Sequence, residues 1–458
     1  MSKPYLPYQP DQILLLPPSM REWLPEGHLA FFVSDVVDGL DLSAIHASYE
    51  RESRGAPPFH PAMLTKIIFY GLCRGVYSSR KLSLATHEDV AFRVLAAGNH
   101  PDFRTISEFR KRHLKSLADL FIQVLKLCQR AGLVPMKHIA IDGTKLLANA
   151  SKHKAMSYSR MVEKEKELQA EIEELLKKGL DTDAQEDVEY GPDRRGDELP
   201  EELATREKRL AKIREAKEAL EREARERAAE EEAERSRKAA EMEASGKNPR
   251  GREPKPPRTK PDGKVQRNFT DPESRIMKDS NKAFVQAYNG QAAVDADNQI
   301  IVACDLTNQA ADSPHLSGMI DKTLENTGKK PDELSADAGY FSSDNIEMVE
   351  QEGIDGYIPP EKQRHGKEPT PPSCLDPERQ TAADRQRAKL LTPEGRKAYG
   401  RRKETVEPVF GQIKSARNFR GFLLRGLEKA RSEWTLVCLG HNMLKLYRHG
   451  DRKLLLEA

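Results

Sequence analysis

Three acidic residues stand where a fold could fix a carboxylate for chemistry. In KHIAIDGTKLLANAS, the apolar run Ile139-Ala140-Ile141 leads to Asp142-Gly143. That pattern predicts a short buried strand, His138–Ile141, with an acid at its tip. LSADAGYF (Leu334–Phe341) predicts a second short strand that ends at Asp337. RKETVEPVFGQIK places Glu407 on a predicted helix, beside an apolar stripe of Val406, Val409, Phe410 and Ile413. Taken singly, Asp142-Gly143 reads as a turn and Glu407 as a solvated helix glutamate. Taken together, two acids on strand ends and one on a helix meet the needs of phosphodiester cleavage. Two Mg²⁺ ions about 3.5–4 Å apart can activate the attacking oxygen and relieve charge on the leaving one. Magnesium takes oxygen ligands and keeps several waters, so a few carboxylates suffice. No H-E-x-x-H, P-loop or glycine-rich dinucleotide motif competes. The 12 histidines show no ligand pair at helical spacing and read as structural or surface residues.

The surroundings of Glu407 favour a polyanion. Residues 395–432 hold 11 Lys and Arg against three acids. Tyr399, Arg402, Lys403, Lys414, Arg417 and Arg420 recur at intervals that leave several near Glu407 on one helical side, as candidate contacts to a polyanion. A second one-signed run, with Arg110 and Lys111 at its centre, lies on a long predicted helix, Thr105–Ala131, capped at Thr105 or Ser107. The formal net charge of the 458-residue chain is only +2, but it is split. Residues 160–246 carry 19 Lys and Arg against 28 Asp and Glu, so the remainder holds the positive excess. The five cysteines are scattered and form no C-x-x-C, which argues against a disulfide framework or a zinc knuckle. The start MSKPYLPYQPDQ is unlike a signal peptide, and no apolar run approaches 18 residues, so no membrane span is expected. A reducing cytoplasm fits.

The elements that must position these acids follow in order. A proline-rich arm, residues 1–25, precedes an all-helical region to 132. There PAMLTKIIFYGLCRG stops at Gly75, and Ser78 or Ser79 caps the next helix. The pair reads equally as a helix-turn-helix or as an ordinary helical hairpin. After Asp142, two amphipathic runs, Met161–Leu176 and Leu203–Leu220, predict an antiparallel helical hairpin. Leu168, Ile172, Leu175, Leu203, Leu210, Ile213 and Leu220 form its seam, around a polar loop with Gly179, Gly191, Pro192 and Gly196. The helix continues towards Gly246, and residues 247–268 read as a flexible basic linker. Then come a β-hairpin (Ala283–Val294, Gln299–Thr307), a helix (Pro314–Asn326), the Asp337 strand, a strand at Gly356–Ile358, and helices Arg396–Ala416 and Leu427–His449. Without the insert this is the order of an RNase H-like α/β core. The expected domains are a helical DNA-binding part (1–132), the first catalytic strand (133–154), the insert and linker (155–268), and the rest of the catalytic domain (269–450).

IAIDGTK, LSADAGYF, the Y-x-x-R run into VEPVFGQIK, and FRGFLLRGL resemble bacterial insertion-sequence transposases of the DDE type, over nearly the whole chain. PPFHPAMLTKIIFYGLCRGVYSSRKL is similar to the InsH-type amino-terminal domain. ANASKHKAMSY, RGDELPEEL and NFTDPESRIMK resemble the marks of a subgroup with a helical insert after the first acid. The resemblance implies that Asp142, Asp337 and Glu407 are catalytic and bind two Mg²⁺, with Mn²⁺ as a substitute. It also implies double-stranded DNA as partner, cutting at terminal inverted repeats, and strand transfer. Holding two ends together calls for a homodimer. Relatives show Y-x2-R-x3-E-x6-K; here Tyr399 and Arg402 each fall one residue early, Gly400 stands at the tyrosine position, and Glu404 rivals Glu407. Three other readings use the same residues. They are a DNA-binding relative without catalysis, a metal-dependent nuclease without strand transfer, and a scaffold centred on the hairpin.

Overall fold

A computed structural model describes residues 19–49, 57–151, 154–190, 201–244, 256–279, 282–362 and 370–450. The arm up to residue 18, the loop residues Gly191, Pro192 and Gly196, and linker residues 247–255 lie outside them.

The strands are β1 (His138–Leu147), β2 (Ala155–Ser157), β3 (Gln266–Asn268), β4 (Arg275–Lys278), β5 (Phe284–Asp295), β6 (Ile301–Thr307), β7 (Glu333–Ala336) and β8 (Asp355–Tyr357). Six of them form one mixed sheet, in the order β4-β5-β1-β7-β8, with β6 also paired to β5. β1, β5 and β6 are antiparallel neighbours; β7 and β8 run parallel to β1. β1 is longer than expected. Asp142-Gly143 is not a turn, because β5 continues the ladder opposite it, from Asp142↔Ala292 to Leu147↔Ala287. The parallel partner stops at Ile141↔Ala336, so only that side of the ladder opens at Asp142.

Helices cover the sheet. The carboxy-terminal helix Leu427–His449 packs on β6 and also on two amino-terminal helices, Leu114–Arg130 and Pro61–Arg74. One continuous apolar core therefore runs from Val33 and Phe69 through Val124 to Ile141, Val294 and Trp434. The single helix expected over Thr105–Ala131 is two, Phe103–Arg112 and Leu114–Arg130. His113 breaks it at φ −110, ψ 16, with its ring buried against Tyr49 and Phe109. Asp102, not Thr105 or Ser107, caps the first half by accepting from Arg104 N. Of the helix pair read as a helix-turn-helix, Pro61–Arg74 is mostly buried, whereas the second helix, Ser79–Glu88, leaves Arg80, Lys81 and Leu84 exposed.

The insert is a helical hairpin, Tyr158–Tyr190 and Glu201–Ala244, so Gly179 lies within a helix and not in the loop. Leu168 and Ile172 pack with Leu210, Ile213 and Leu220; Leu175 and Leu203 lie outside the described side chains. Glu165 meets Arg214 and Glu171 meets Arg206, a pairing that runs antiparallel. Glu165 also meets Lys217, so part of the charge run closes on itself across the hairpin. Its base is tied by the β2–β3 ribbon, so the expected flexible linker ends in an ordered strand, Gln266–Asn268. Among the described residues, no helix is long and apolar enough to cross a membrane.

Candidate active site

The site follows from strand register. Ile141 lies beside Ala336 in the parallel ladder, so the next residues along the two strands, Asp142 and Asp337, emerge together where the ladder opens. Parallel neighbours sit about 4.8 Å apart, which brings the two acids into mutual range. Asp337 then caps a short 3-10 turn, Ala338–Tyr340, by accepting from Gly339 N at 2.8 Å. The third acid arrives on the helix Pro393–Gly411, anchored by buried Val406, Val409 and Phe410. Pro408 has no N–H for the Glu404 carbonyl. Gln299 Nε2 supplies that bond instead, at 2.8 Å.

Arg402 joins the acids. Its Nη1 donates to Asp142 Oδ2 at 2.6 Å and its Nη2 to Glu407 Oε1 at 3.3 Å. Tyr399, one turn earlier, lies under the guanidinium at 5.9 Å. So Tyr399 and Arg402, one residue early in sequence, both reach the site, and Arg402 contacts Glu407; the Glu404 side chain is exposed. Burial raises the Asp142 carboxyl to about 7; Arg402 opposes this, and Asp337 and Asp312 add to it.

The other candidate phosphate contacts divide. Lys403 and Arg420 are exposed, and Lys111 is exposed beside Glu108 at 3.6 Å. Lys414 is half-buried and donates to the Lys145 carbonyl at 2.9 Å; burial lowers its ammonium pKa. Two candidates do not lie on an open face. Arg417 is buried against the carboxy-terminal helix, and Arg110 turns inward to donate to the Tyr77 carbonyl at 2.6 Å. Arg417 is drawn in by the carboxy-terminal helix, to which its guanidinium bonds, and Arg110 lies within the influence of Glu433 on that helix.

A fourth acid escaped sequence reading. Gly143 and Lys145 alternate with Asp142, so they face the other side of the sheet. There Asp312 Oδ1 accepts from Asn289 Nδ2 (2.6 Å), Gln291 Nε2 (2.9 Å) and Lys145 Nζ (3.4 Å). Tyr340 in turn donates to Gln291 Oε1. The available signal was Asn289 and Gln291 themselves, two polar residues inside the apolar run of β5, since buried amides need partners. A Cβ on Gly143 would stand 2.5 Å from Asp312 Oδ1 and 2.7 Å from Gln291 Nε2. Gly143→Ala should therefore lower unfolding free energy by about 1–3 kcal/mol, measured by urea titration. A neutral result would mean that the cluster yields freely.

The donor set is all oxygen and suits a hard cation. Among the described residues, however, no three Asp, Glu, His or Cys side chains converge as a metal site. The Arg402 guanidinium stands between Asp142 and Glu407 as the local cation.

Fold and geometry thus give an α/β protein in which Asp142 and Asp337 follow neighbouring parallel strands and Arg402 links Asp142 to Glu407 on a covering helix. Residues 18–112 match a family described as Transposase domain (DUF772), and residues 367–447 match a Transposase DDE domain. The resemblance to insertion-sequence DDE transposases holds at both ends of the chain. The second match contains Tyr399, Arg402, Glu407 and Lys414; Asp142 and Asp337 precede it. Searches of curated proteins and of solved structures found no match.

Proposed function

We propose that the chain is the transposase of a bacterial insertion sequence. It binds terminal inverted repeats, cleaves DNA at the element end and joins the freed 3′-hydroxyl to target DNA. What supports this reading is that Arg402 links Asp142 to Glu407, 265 residues apart, beside the point where the parallel ladder of Ile141 and Ala336 ends. The antiparallel β6-β5-β1 followed by parallel β7 and β8 supports an RNase H-like core.

Asp142, Asp337 and Glu407 would hold Mg²⁺ (or Mn²⁺), which when bound supplies charge relief at the phosphorus and an activated oxygen nucleophile. Arg402 holds Asp142 and Glu407 together, and its two contacts occupy carboxylate oxygens that the ion would also need. Lys403 and Arg420, being exposed, bind backbone phosphates. Lys414 is held against the first strand, ready for a phosphate close to Asp142. Tyr399 orients Arg402 and packs on DNA. The helices before residue 132 bind the element ends, and the insert serves protomer or DNA contacts. Two ends held at once require a homodimer on the DNA, working in the cytoplasm.

The test is strand transfer. A labelled duplex with the element's own end is incubated with supercoiled target and Mg²⁺. Joined product is expected. Hydrolysis without joining would favour a plain nuclease, and tight binding without either would favour a non-catalytic relative.

A further inference from the structure

A cavity of about 610 Å³ lies at the seam between the amino-terminal helices and the carboxy-terminal helix. Arg74, Arg417, Lys445 and Arg448 line it, and among the described residues no carboxylate does. Arg417 is only 6% exposed. Among the described residues, the acceptors for its guanidinium are neutral and distant, the Val437 carbonyl and His441 Nδ1, both at 3.4 Å. His441 donates its Nε2–H to the Gln299 carbonyl, and burial holds its pKa down to about 3, so the ring is a neutral acceptor. Lys445 is also buried, bonded to the neutral Gln299 Oε1 at 2.7 Å. Arg74 and Arg448 stand exposed at the edge.

A buried cation without an anion is unfavourable, and buried charges are ordinarily paired. Here two buried and two exposed cations surround one space. The Arg417 backbone also passes close against the amino-terminal helix end. Gly75 has φ +75, and a Cβ there would stand 2.6 Å from the Arg417 carbonyl oxygen. Arg74 belongs to the first transposase match, and Arg417 and Lys445 to the second. A ligand in the cavity would therefore touch both.

We propose that this seam is a phosphate-binding site, filled by a DNA backbone phosphate when duplex is bound. Arginine forks match phosphate oxygens, and the exposed Arg74 and Arg448 give a strand access to the buried pair. The site stands on its own charge and does not depend on cleavage at Asp142.

The test uses the full chain in EDTA, so that cleavage plays no part. Wild type and R74Q/R448Q, altered only at exposed positions, are compared in two assays. One is thermal melting in inorganic phosphate against chloride at equal ionic strength. The other is duplex binding across a salt series. We expect phosphate to raise the wild-type melting temperature and the variant to lose that rise. The variant should bind duplex about tenfold more weakly, with a salt slope shallower by about one. Loss of the phosphate effect with unchanged duplex binding would keep the site and assign it to free phosphate. Weakened duplex binding without any phosphate effect would assign it to DNA alone. A variant that matches wild type in both assays overturns the proposal.

Discussion

The Asp142→Asn variant should lose duplex cleavage by about a thousandfold or more, yet in EDTA at pH 8 it should melt above the wild type. Both effects come from one buried carboxylate. Burial raises the folded Asp142 pKa to about 7, against the pull of Arg402. An unfolded Asp releases its proton near pH 4, at about 3.9. Between these values folding takes up a proton, so this group's contribution to stability declines as pH rises and is fully lost above the folded pKa. An amide has no such titration. The variant's advantage should be small at pH 4, grow through pH 5–7, and level off above. Melting curves in EDTA across that range read it directly. An advantage largest at pH 4 would reverse the sign and mean that Arg402 outweighs burial.

The largest structural effect is expected at Trp434. Its side chain is fully buried, and Nε1 donates to the Gln291 carbonyl at 3.1 Å. Its ring lies 6.4 Å from Phe410 and 6.5 Å from Phe419. Gly290 makes room for it; a Cβ there would come within 3.2 Å of the indole. Trp434 therefore spaces the helix that carries Glu407 from the strand that carries Gln291. Trp434→Ala should cost about 3–5 kcal/mol of unfolding free energy, measured in urea at pH 7. A loss below about 1 kcal/mol would show that the aromatic cluster collapses into the gap. Cleavage should fall along with stability, because Phe410 sits one turn from Glu407.

The strand–acid order was legible because local signals agreed with the fold. Apolar Ile139–Ile141 and Leu334–Ala336 are buried strands, and Val406, Val409, Phe410 and Ile413 are a buried stripe. Long-range partners were not legible. Asp142-Gly143 has turn chemistry, but β5 extends the ladder through it, and the bare glycine is needed where Asp312 and Gln291 crowd the backbone. Asp312 itself sits in a polar stretch, NQAADSPH, with nothing local to mark it. Arg417 and Arg110 read as surface cations because their partners, Val437 and His441 for one and the Tyr77 carbonyl for the other, lie far off in sequence. Arg402 looked out of register, but its long side chain spans to Glu407 five residues on. The break at His113 arises from a ring that packs on Tyr49, far back in the chain.

The most direct measurement is Mg²⁺-dependent nicking of a labelled duplex that carries the element's own end. Wild type is compared with Asp337→Ala, Glu407→Gln and Glu404→Gln, with duplex binding measured alongside. Asp142, Asp337 and Glu407 as one site predicts that wild type and Glu404→Gln cut at the end, while Asp337→Ala and Glu407→Gln bind but do not cut. If Glu407→Gln cuts as wild type and Glu404→Gln does not, the Arg402 contact marks the wrong acid and the site is misassigned.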